Sequence, residues 1–170
     1  MPSEAEPRVE VTIDAEIPLP VGLDIPVLTS LVRHVLRAEE QSGAWQVGIR
    51  FVDDPTMQRA HVEFMGIDSP TDIMTFPYEV DEFDFDLDDE AGMGEQGGDL
   101  LISVDRAADH ARDAGWDTRQ EILFVVVHGV LHILGWDDLT GDDRADMLAR
   151  QQVLLDEWLR EQPAAPPAAR

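Results

Sequence analysis

The sequence predicts an α+β fold in which helices cover a small mixed sheet of about four strands. Two observations predict this fold. Short segments in the first half alternate between apolar and polar residues, as half-buried strands do, whereas the C-terminal third has apolar residues at helical spacing. The predicted elements follow the order β-α-β-α-β-β-α-α-α. Both faces of such a sheet need a cover, and the predicted helices can supply it.

The first three elements alternate in type. The segment from Val9 to Ile13 alternates in polarity and is the first predicted strand. Asp24 offers an N-cap, with Pro26 in the first turn, for a helix that ends at Gly43. The second strand spans Trp45 to Phe51, where every other residue is large and apolar. This beginning predicts a β-α-β unit.

The second helix starts after 53–55, which has the Asp-Asp-Pro sequence of a helix start, and ends at Gly66. It carries His61 and Met65. A single helical histidine is more often structural than functional, although His61 could face a cleft. We predict Met65 to be a core residue, because methionine is mostly buried in folded proteins.

Two further strands flank an acidic segment. The third strand spans 72–76. Asp72 is expected to satisfy the preceding turn, and the alternative is that Thr71 and Asp72 line a substrate groove. Glu79 to Gly97 is predicted to be a long loop. Its acidic part, from Asp81 to Glu95, is predicted to be mobile and dispensable for folding. The fourth strand spans Leu100 to Val104.

Three helices complete the predicted fold. Asp105 caps an alanine-rich helix that ends at Gly115. The segment 118–121 has the sequence of a capping box and opens a buried central helix that reaches Leu134. The last helix is amphipathic, and its apolar face comprises Met147, Leu148, Gln151, Leu154, Leu155, Trp158 and Leu159. We predict one domain over residues 1–162 and a disordered tail at 163–170.

The composition restricts the possible functions. The chain has 36 acidic and 12 basic residues, for a net charge of -24, which repels nucleic acid over the surface as a whole. A bound cation or a local arginine can still act within the Debye length of about 8 Å. There is no cysteine, so disulfides and thiolate metal sites are excluded. Without an apolar segment of transmembrane length or a signal peptide, the protein is expected to be soluble and cytoplasmic.

The predicted central helix carries a candidate metal site. His128 and His132 are four residues apart, so both imidazoles lie on one face of the helix. Gly135 ends the helix, and the returning chain brings Asp138. Two imidazoles and a carboxylate can bind one zinc ion and leave a position open for water. The alternative is a pair of core histidines with Asp137 and Asp138 in a solvated turn.

The residue after the first histidine bears on the reaction. Proteases with the H-E-x-x-H motif use the glutamate as general base, whereas this chain has Gly129. This difference disfavours peptide hydrolysis. In phosphodiester cleavage a cation can neutralise the oxyanion, and the 2′-hydroxyl of RNA is a possible internal nucleophile. Asp137 is a candidate proton acceptor or a residue that orients a ligand.

Three segments of the chain resemble the YbeY family, the bacterial metal-dependent endoribonucleases of ribosomal RNA maturation. They are HGVLHILGWDD at 128–138, PTDIMTFP at 70–77 and GDLLIS at 98–103. The resemblance covers roughly Val9 to Arg160. Two positions depart from the family pattern, since Asp138 stands where the family has histidine and Met65 where it has arginine.

The resemblance implies a zincin-like fold and a single-strand-specific endoribonuclease that acts in 3′ end maturation of small-subunit ribosomal RNA and in ribosome quality control. The implied partners are single-stranded RNA and the small ribosomal subunit, not DNA or a membrane. The implied cofactor is one divalent metal ion, with zinc as first choice, whereas the catalytic and substrate-binding residues stay unassigned. Two alternatives are a metallohydrolase of another substrate, such as peptide, and a non-catalytic ribosome-associated protein with a structural metal.

Overall fold

The structure is a computed structural model that describes residues 6–69, 71–78 and 96–162. Pro70, the acidic segment 81–95 and the predicted tail at 163–170 lie outside the described residues. The described elements follow the predicted order: β1 (Arg8–Ala15), α1 (Ile25–Ala38), β2 (Ala44–Val52), α2 (Asp54–Met65), β3 (Ile73–Pro77), β4 (Gln96–Ser103), α3 (Val104–Ala114), α4 (Thr118–Ile133) and α5 (Gly141–Glu161).

The four strands form one mixed sheet in the order β1-β2-β4-β3. β1, β2 and β4 are parallel, with Ile13 opposite Ile49 and Ile49 opposite Leu100. β3 runs antiparallel to β4, with Ile73 opposite Ile102, and is an edge strand of this sheet. The prediction of an α+β fold with a mixed four-stranded sheet is therefore confirmed.

One face of the sheet is covered by α1 and α4, α5 packs on these two helices, and the main hydrophobic core lies between the helices and the sheet. α4 is the central helix of this layer. It is buried around most of its circumference, as expected for a helix that is apolar on all sides. α5 places Met147, Leu154 and Trp158 in the same core, and the Trp158 Nε1 donates to Ser30 Oγ at 3.0 Å.

The opposite face of the sheet is covered by α2, with a much smaller apolar cluster. Its buried members are Val52, Met57 and Met74. At the C-terminal end of α2 the Phe64 ring meets Phe76 edge to face, with centroids 5.2 Å apart. α2 and the edge strand β3 thus lie side by side, and the cleft described below opens between these two elements and α4.

Two predicted boundaries are wrong. α1 ends at Ala38 rather than at Gly43, because the chain turns at Glu40, which has a φ of 58°, and the Gln41 amide donates back to Leu36. β4 begins at Gln96 rather than at Leu100, so the end of the predicted loop is a strand. Glycine occupies position 97 because the strand packs too closely for a side chain, as a Cβ atom there would lie 1.8 Å from the Gln46 carbonyl oxygen.

Two predicted N-caps are wrong by one or two residues. Ser103, not Asp105, caps α3 by accepting from the Arg106 amide, because the Asp105 carboxylate accepts instead from the Asp54 amide at 2.8 Å. Asp117, not Thr118, caps α4 by accepting from the amide of Gln120. In both cases the side chain that caps is the one just before the first helical residue, as the geometry of an N-cap requires.

No helix in the described parts of the chain is long and apolar enough to cross a lipid bilayer.

Candidate metal centre

α4 fixes the two motif histidines at the border between core and solvent. Most side chains before them on the helix are buried, whereas the side chains of His128 and His132 remain 21% and 24% exposed. Their rings lie edge to face with centroids 4.6 Å apart, one helical turn from each other. The helix is anchored in the core on its other sides, so the positions of the two imidazoles are set by the packing of α4.

The turn after α4 brings the carboxylate to the histidines. Gly135 has a φ of 101°, a conformation that glycine adopts without strain, and the Trp136 amide donates to the Leu131 carbonyl at 3.0 Å. This turn returns the chain, so that Asp138 Oδ2 lies 3.9 Å from His128 Nε2 and 3.6 Å from His132 Nε2.

Hydrogen bonds on the far side of each ring determine which ring nitrogen is free. His128 Nδ1 lies 3.0 Å from Gln151 Oε1, and the Gln151 amide nitrogen donates to the Phe124 carbonyl, so the Gln151 oxygen must accept from the ring. His132 Nδ1 lies 2.9 Å from the Trp136 carbonyl oxygen, which can only accept. Both Nδ1 atoms therefore carry hydrogen, and both Nε2 lone pairs point toward Asp138.

The distances between these three groups fit a metal ion. The two Nε2 atoms are 3.1 Å apart, and two facing lone pairs repel each other unless a cation lies between them. Ligands placed at about 2.0–2.1 Å around a tetrahedral zinc ion are about 3.3 Å apart. Among the described residues His128, His132 and Asp138 form a cluster that can hold a metal ion, with ligand atoms within 4.8 Å of one another.

Gly129 has a steric role that its sequence position did not reveal. A Cβ atom at this residue would lie 2.6 Å from Leu100 Cδ2 and 2.9 Å from Ile73 Cδ1. α4 thus packs closely on the sheet at Gly129, and a side chain there would have to displace the ends of the Leu100 and Ile73 side chains. A glutamate in the place it takes in H-E-x-x-H proteases would need the same displacement.

The cluster opens into a cleft of about 430 Å³. α4 contributes His128 and His132, β3 and the residues just before it form a second wall, and α2 contributes His61 and Met65. Met65 is 61% exposed, so the prediction that it is a core residue is wrong. It follows Phe64 at the end of α2, beyond the part of the helix that the sheet covers.

The loop before β3 connects the cleft to a second polar cluster. The Asp72 carboxylate lies 3.8 Å from His110 Nδ1, and the same nitrogen lies 3.8 Å from the Glu121 carboxylate. Thr71 and Asp72 both line the cleft, which is the groove position that the sequence left open for them. Burial raises the pKa of Glu121, while the hydrogen bond from Trp116 Nε1 and the neighbouring His110 oppose that rise.

The sequence did not reveal the role of Gln151, which lies next to the cluster, and it left the role of Asp137 undecided. Gln151 was predicted only as part of the apolar face of α5, yet it is 4% exposed and bonds to His128. A polar residue on an otherwise apolar helix face was the available signal. Asp137, the candidate proton acceptor or ligand-orienting residue, is exposed, and its carboxylate accepts from the Leu139 amide at 3.4 Å. It does not belong to the cluster.

Metal-dependent hydrolases typically have a buried helix with two oriented histidines, a third ligand from a following turn, and an open cleft. This site has all of these features. The family model for endoribonuclease YbeY matches residues 23–159 of this chain. The endoribonuclease YbeY of Mycolicibacterium gilvum is 34% identical over 143 residues, which are 83% of this chain and 80% of that protein. That of Roseiflexus sp. is 34% identical over 149 residues, which are 86% and 92% of the two chains.

The chain therefore belongs to the endoribonuclease YbeY family. The family predicted from the three sequence segments is confirmed. The fold also resembles the solution structure of TM1509 from Thermotoga maritima, with a TM-score of 0.55 and 23% identity over 95% of this chain and all of that one. At that identity the likeness concerns the fold alone, and a zincin-like fold is consistent with it.

Proposed function

We propose that this protein is a metal-dependent, single-strand-specific endoribonuclease that acts on ribosomal RNA. Its role would be 3′ end maturation of small-subunit RNA and ribosome quality control, in the cytoplasm and in contact with the small subunit. Membership of the endoribonuclease YbeY family supports the reaction. The observation that carries the proposal for this chain is the convergence of His128, His132 and Asp138 at one end of an open cleft.

His128, His132 and Asp138 would hold one divalent ion. When bound, such an ion polarises a phosphoryl oxygen and makes a bound water more acidic. The protein contributes the orientation of the ligands, because Gln151 and the Trp136 carbonyl hold the two rings with Nε2 toward the cleft. Asp138 adds a negative charge that a third imidazole would not bring. Zinc is our first choice, although a carboxylate shifts the preference somewhat toward manganese or iron.

The substrate must reach the cluster through the cleft between α2, β3 and α4. Single-stranded RNA can present one phosphodiester there, whereas a duplex holds its backbone in regular A-form geometry. The net charge of -24 disfavours long-range attraction of RNA, so binding has to depend on contacts inside the cleft. Peptide hydrolysis is the weaker alternative, because Gly129 stands where H-E-x-x-H proteases have their glutamate base.

The test is cleavage of a labelled single-stranded RNA by the purified protein, with and without chelator. We expect cleavage that stops with chelator and in the double variant His128→Ala with His132→Ala, and slow cleavage of the matching duplex. Robust cleavage that survives both treatments would contradict the proposal. Cleavage of a casein-like protein at stoichiometric enzyme would favour a peptidase, and intact RNA with retained ribosome binding would favour a structural metal.

A further inference from the structure

A third histidine lines the same cleft and has no role in the metal cluster. His61 lies on α2, is half-buried, and lines the cleft together with Met65 of the same helix. Its Nδ1 atom is 2.6 Å from the carbonyl oxygen of Ser69. The contact joins α2 to the loop that leads into β3, so the ring is held in one orientation at the wall of the cleft.

The Ser69 contact defines the chemistry of the free ring nitrogen. A carbonyl oxygen only accepts, so Nδ1 must donate, and Nε2 is left for another partner. Neutral imidazole then offers a lone pair at Nε2, and imidazolium offers a second N–H donor with a positive charge. Imidazole is the side chain that changes between these two states near neutral pH. Its partner can thus be an anion.

The described lining of the cleft contains no arginine or lysine. Arg59, the nearest arginine on α2, bonds to Thr56 Oγ1 at 3.1 Å and lines a separate groove with Gln58, Val62 and Asp68. A phosphodiester entering a chain with a net charge of -24 needs a local donor to offset the repulsion. Among the described residues that line the cleft outside the metal cluster, His61 is the one side chain that can carry a positive charge.

We propose that His61 is a substrate-binding residue whose Nε2 contacts a phosphate of the RNA from the α2 wall, while the metal cluster acts from the α4 wall. This inference rests on the proposed function. In the imidazolium form Nε2–H donates a charge-assisted hydrogen bond to a non-bridging phosphate oxygen. The other titratable groups that line this cleft are Asp72, His128, His132 and Asp138. Of these Asp72 alone lies outside the metal cluster, and it already faces His110.

The variant His61→Asn separates this role from a structural one. The asparagine Nδ2 can take the place of Nδ1 and keep the bond to Ser69, but no atom replaces Nε2. Arg59→Gln is the matched control, since it removes one positive charge from α2 outside the cleft. The probe is a single-stranded RNA oligonucleotide with 2′-O-methyl riboses, which has no free 2′-hydroxyl, and the protein is the full chain as purified.

At pH 6 we expect His61→Asn to bind this RNA about tenfold more weakly, which corresponds to about 1.4 kcal/mol. The slope of log K against log salt should fall by about 0.7, the value for one phosphate contact on a single strand. KM for cleavable RNA should rise more than kcat falls, and the Tm should stay unchanged.

Equal affinity and equal salt slope for wild type and His61→Asn at pH 6 would overturn the proposal. Wild type that binds RNA through His61 but never cleaves it would instead refute the proposed function alone. If the variant does not fold, NMR of the wild-type imidazole signals during titration with inorganic phosphate decides the question. A shift of the His61 Nε2 signal supports the contact, and an unchanged signal refutes it.

Discussion

The two walls of the cleft are built in different ways. On the α4 wall, His128 and His132 project from a helix buried in the main core, and each ring is held by a hydrogen bond on its far side. On the α2 wall, the helix covers only a small apolar cluster, and Met65 at its end is largely exposed. Among the described residues, His61 is held by one hydrogen bond, to the carbonyl oxygen of Ser69 in the loop before β3.

This difference indicates that the two walls have different functions, metal binding on the α4 wall and RNA contact on the α2 wall. Ligands to a metal must be placed within a few tenths of an ångström, and the dense packing around α4 can do that. A wall that meets a flexible, charged substrate can be less densely packed, because it makes single contacts to phosphate groups. The α4 wall should therefore respond to substitutions through metal affinity and stability, and the α2 wall through RNA binding and rate.

The largest expected effect concerns Gln151 on the α4 wall. Gln151→Ala removes the acceptor that fixes the His128 tautomer, and loss of such an outer-shell partner lowers metal affinity by about 10–100-fold. Competition with a chromogenic chelator measures this change. Gln152→Ala is the control, since Gln152 bonds only to the exposed Asp156 among its described partners. Unchanged affinity in Gln151→Ala would show that helix packing alone orients His128.

The second prediction concerns Gly129. Gly129→Ala places a methyl group against Leu100 and Ile73, and overpacking of this kind lowers the free energy of unfolding by about 1–3 kcal/mol. Urea unfolding followed by circular dichroism measures it. Gly141→Ala at the start of α5 is the control, because nothing lies within 4 Å of its added Cβ atom. If both variants are equally stable, α4 does not need its close approach to the sheet.

The third prediction tests the α2 wall. Met65→Arg places a guanidinium on the α2 wall, where the described residues that line the cleft include no arginine, and it can pair there with a phosphate or stabilise developing charge. We expect the rate of RNA cleavage to rise about tenfold, since a single such contact is worth up to about 10²–10³ in optimised sites. Metal content should not change. Val62→Arg adds the same charge on α2 in the separate groove and should have little effect. A rise of the same size in both variants would indicate non-specific attraction.

The smallest expected effect is at Glu121, behind the cleft. Its pKa is raised in the folded protein by burial, so the folded state holds a proton that the unfolded state loses above its ordinary pKa of 4.5. The stability from this group is present at low pH and is lost as pH rises through the folded pKa. Glu121→Gln should therefore gain Tm relative to wild type between pH 4.5 and pH 7.5. The same change at the exposed Glu10 should not. A difference in Tm between Glu121→Gln and wild type that stays constant with pH would contradict the raised pKa of Glu121.

Much of the fold could be predicted from the sequence because its signals are local. The helix starts at Asp24 and Asp53 and the stops at Gly66 and Gly115 match the structure. Each depends on residues within one turn of the helix end. Local signals failed where a side chain had a distant partner. Asp105 does not cap α3 because it bonds to Asp54.

The candidate site was likewise predictable only where its residues are close together in the sequence. His128, His132 and Asp138 lie within eleven residues, so spacing alone could bring them together. Gln151 joins from another helix, 23 residues beyond His128, and His61 comes from the other face of the sheet. No periodicity in the sequence connects such positions. Only the packing of α2, α4 and α5 around the sheet brings them to one cleft.

The most direct test of the central claim is the metal content of two neighbouring variants, measured by inductively coupled plasma mass spectrometry on the folded proteins. Asp138 faces both Nε2 atoms, whereas Asp137 bonds to the Leu139 amide away from the cluster. We predict that Asp138→Ala loses the metal and that Asp137→Ala retains about one ion per chain. A site emptied by Asp137→Ala and kept by Asp138→Ala would contradict the assignment of Asp138 as the third ligand.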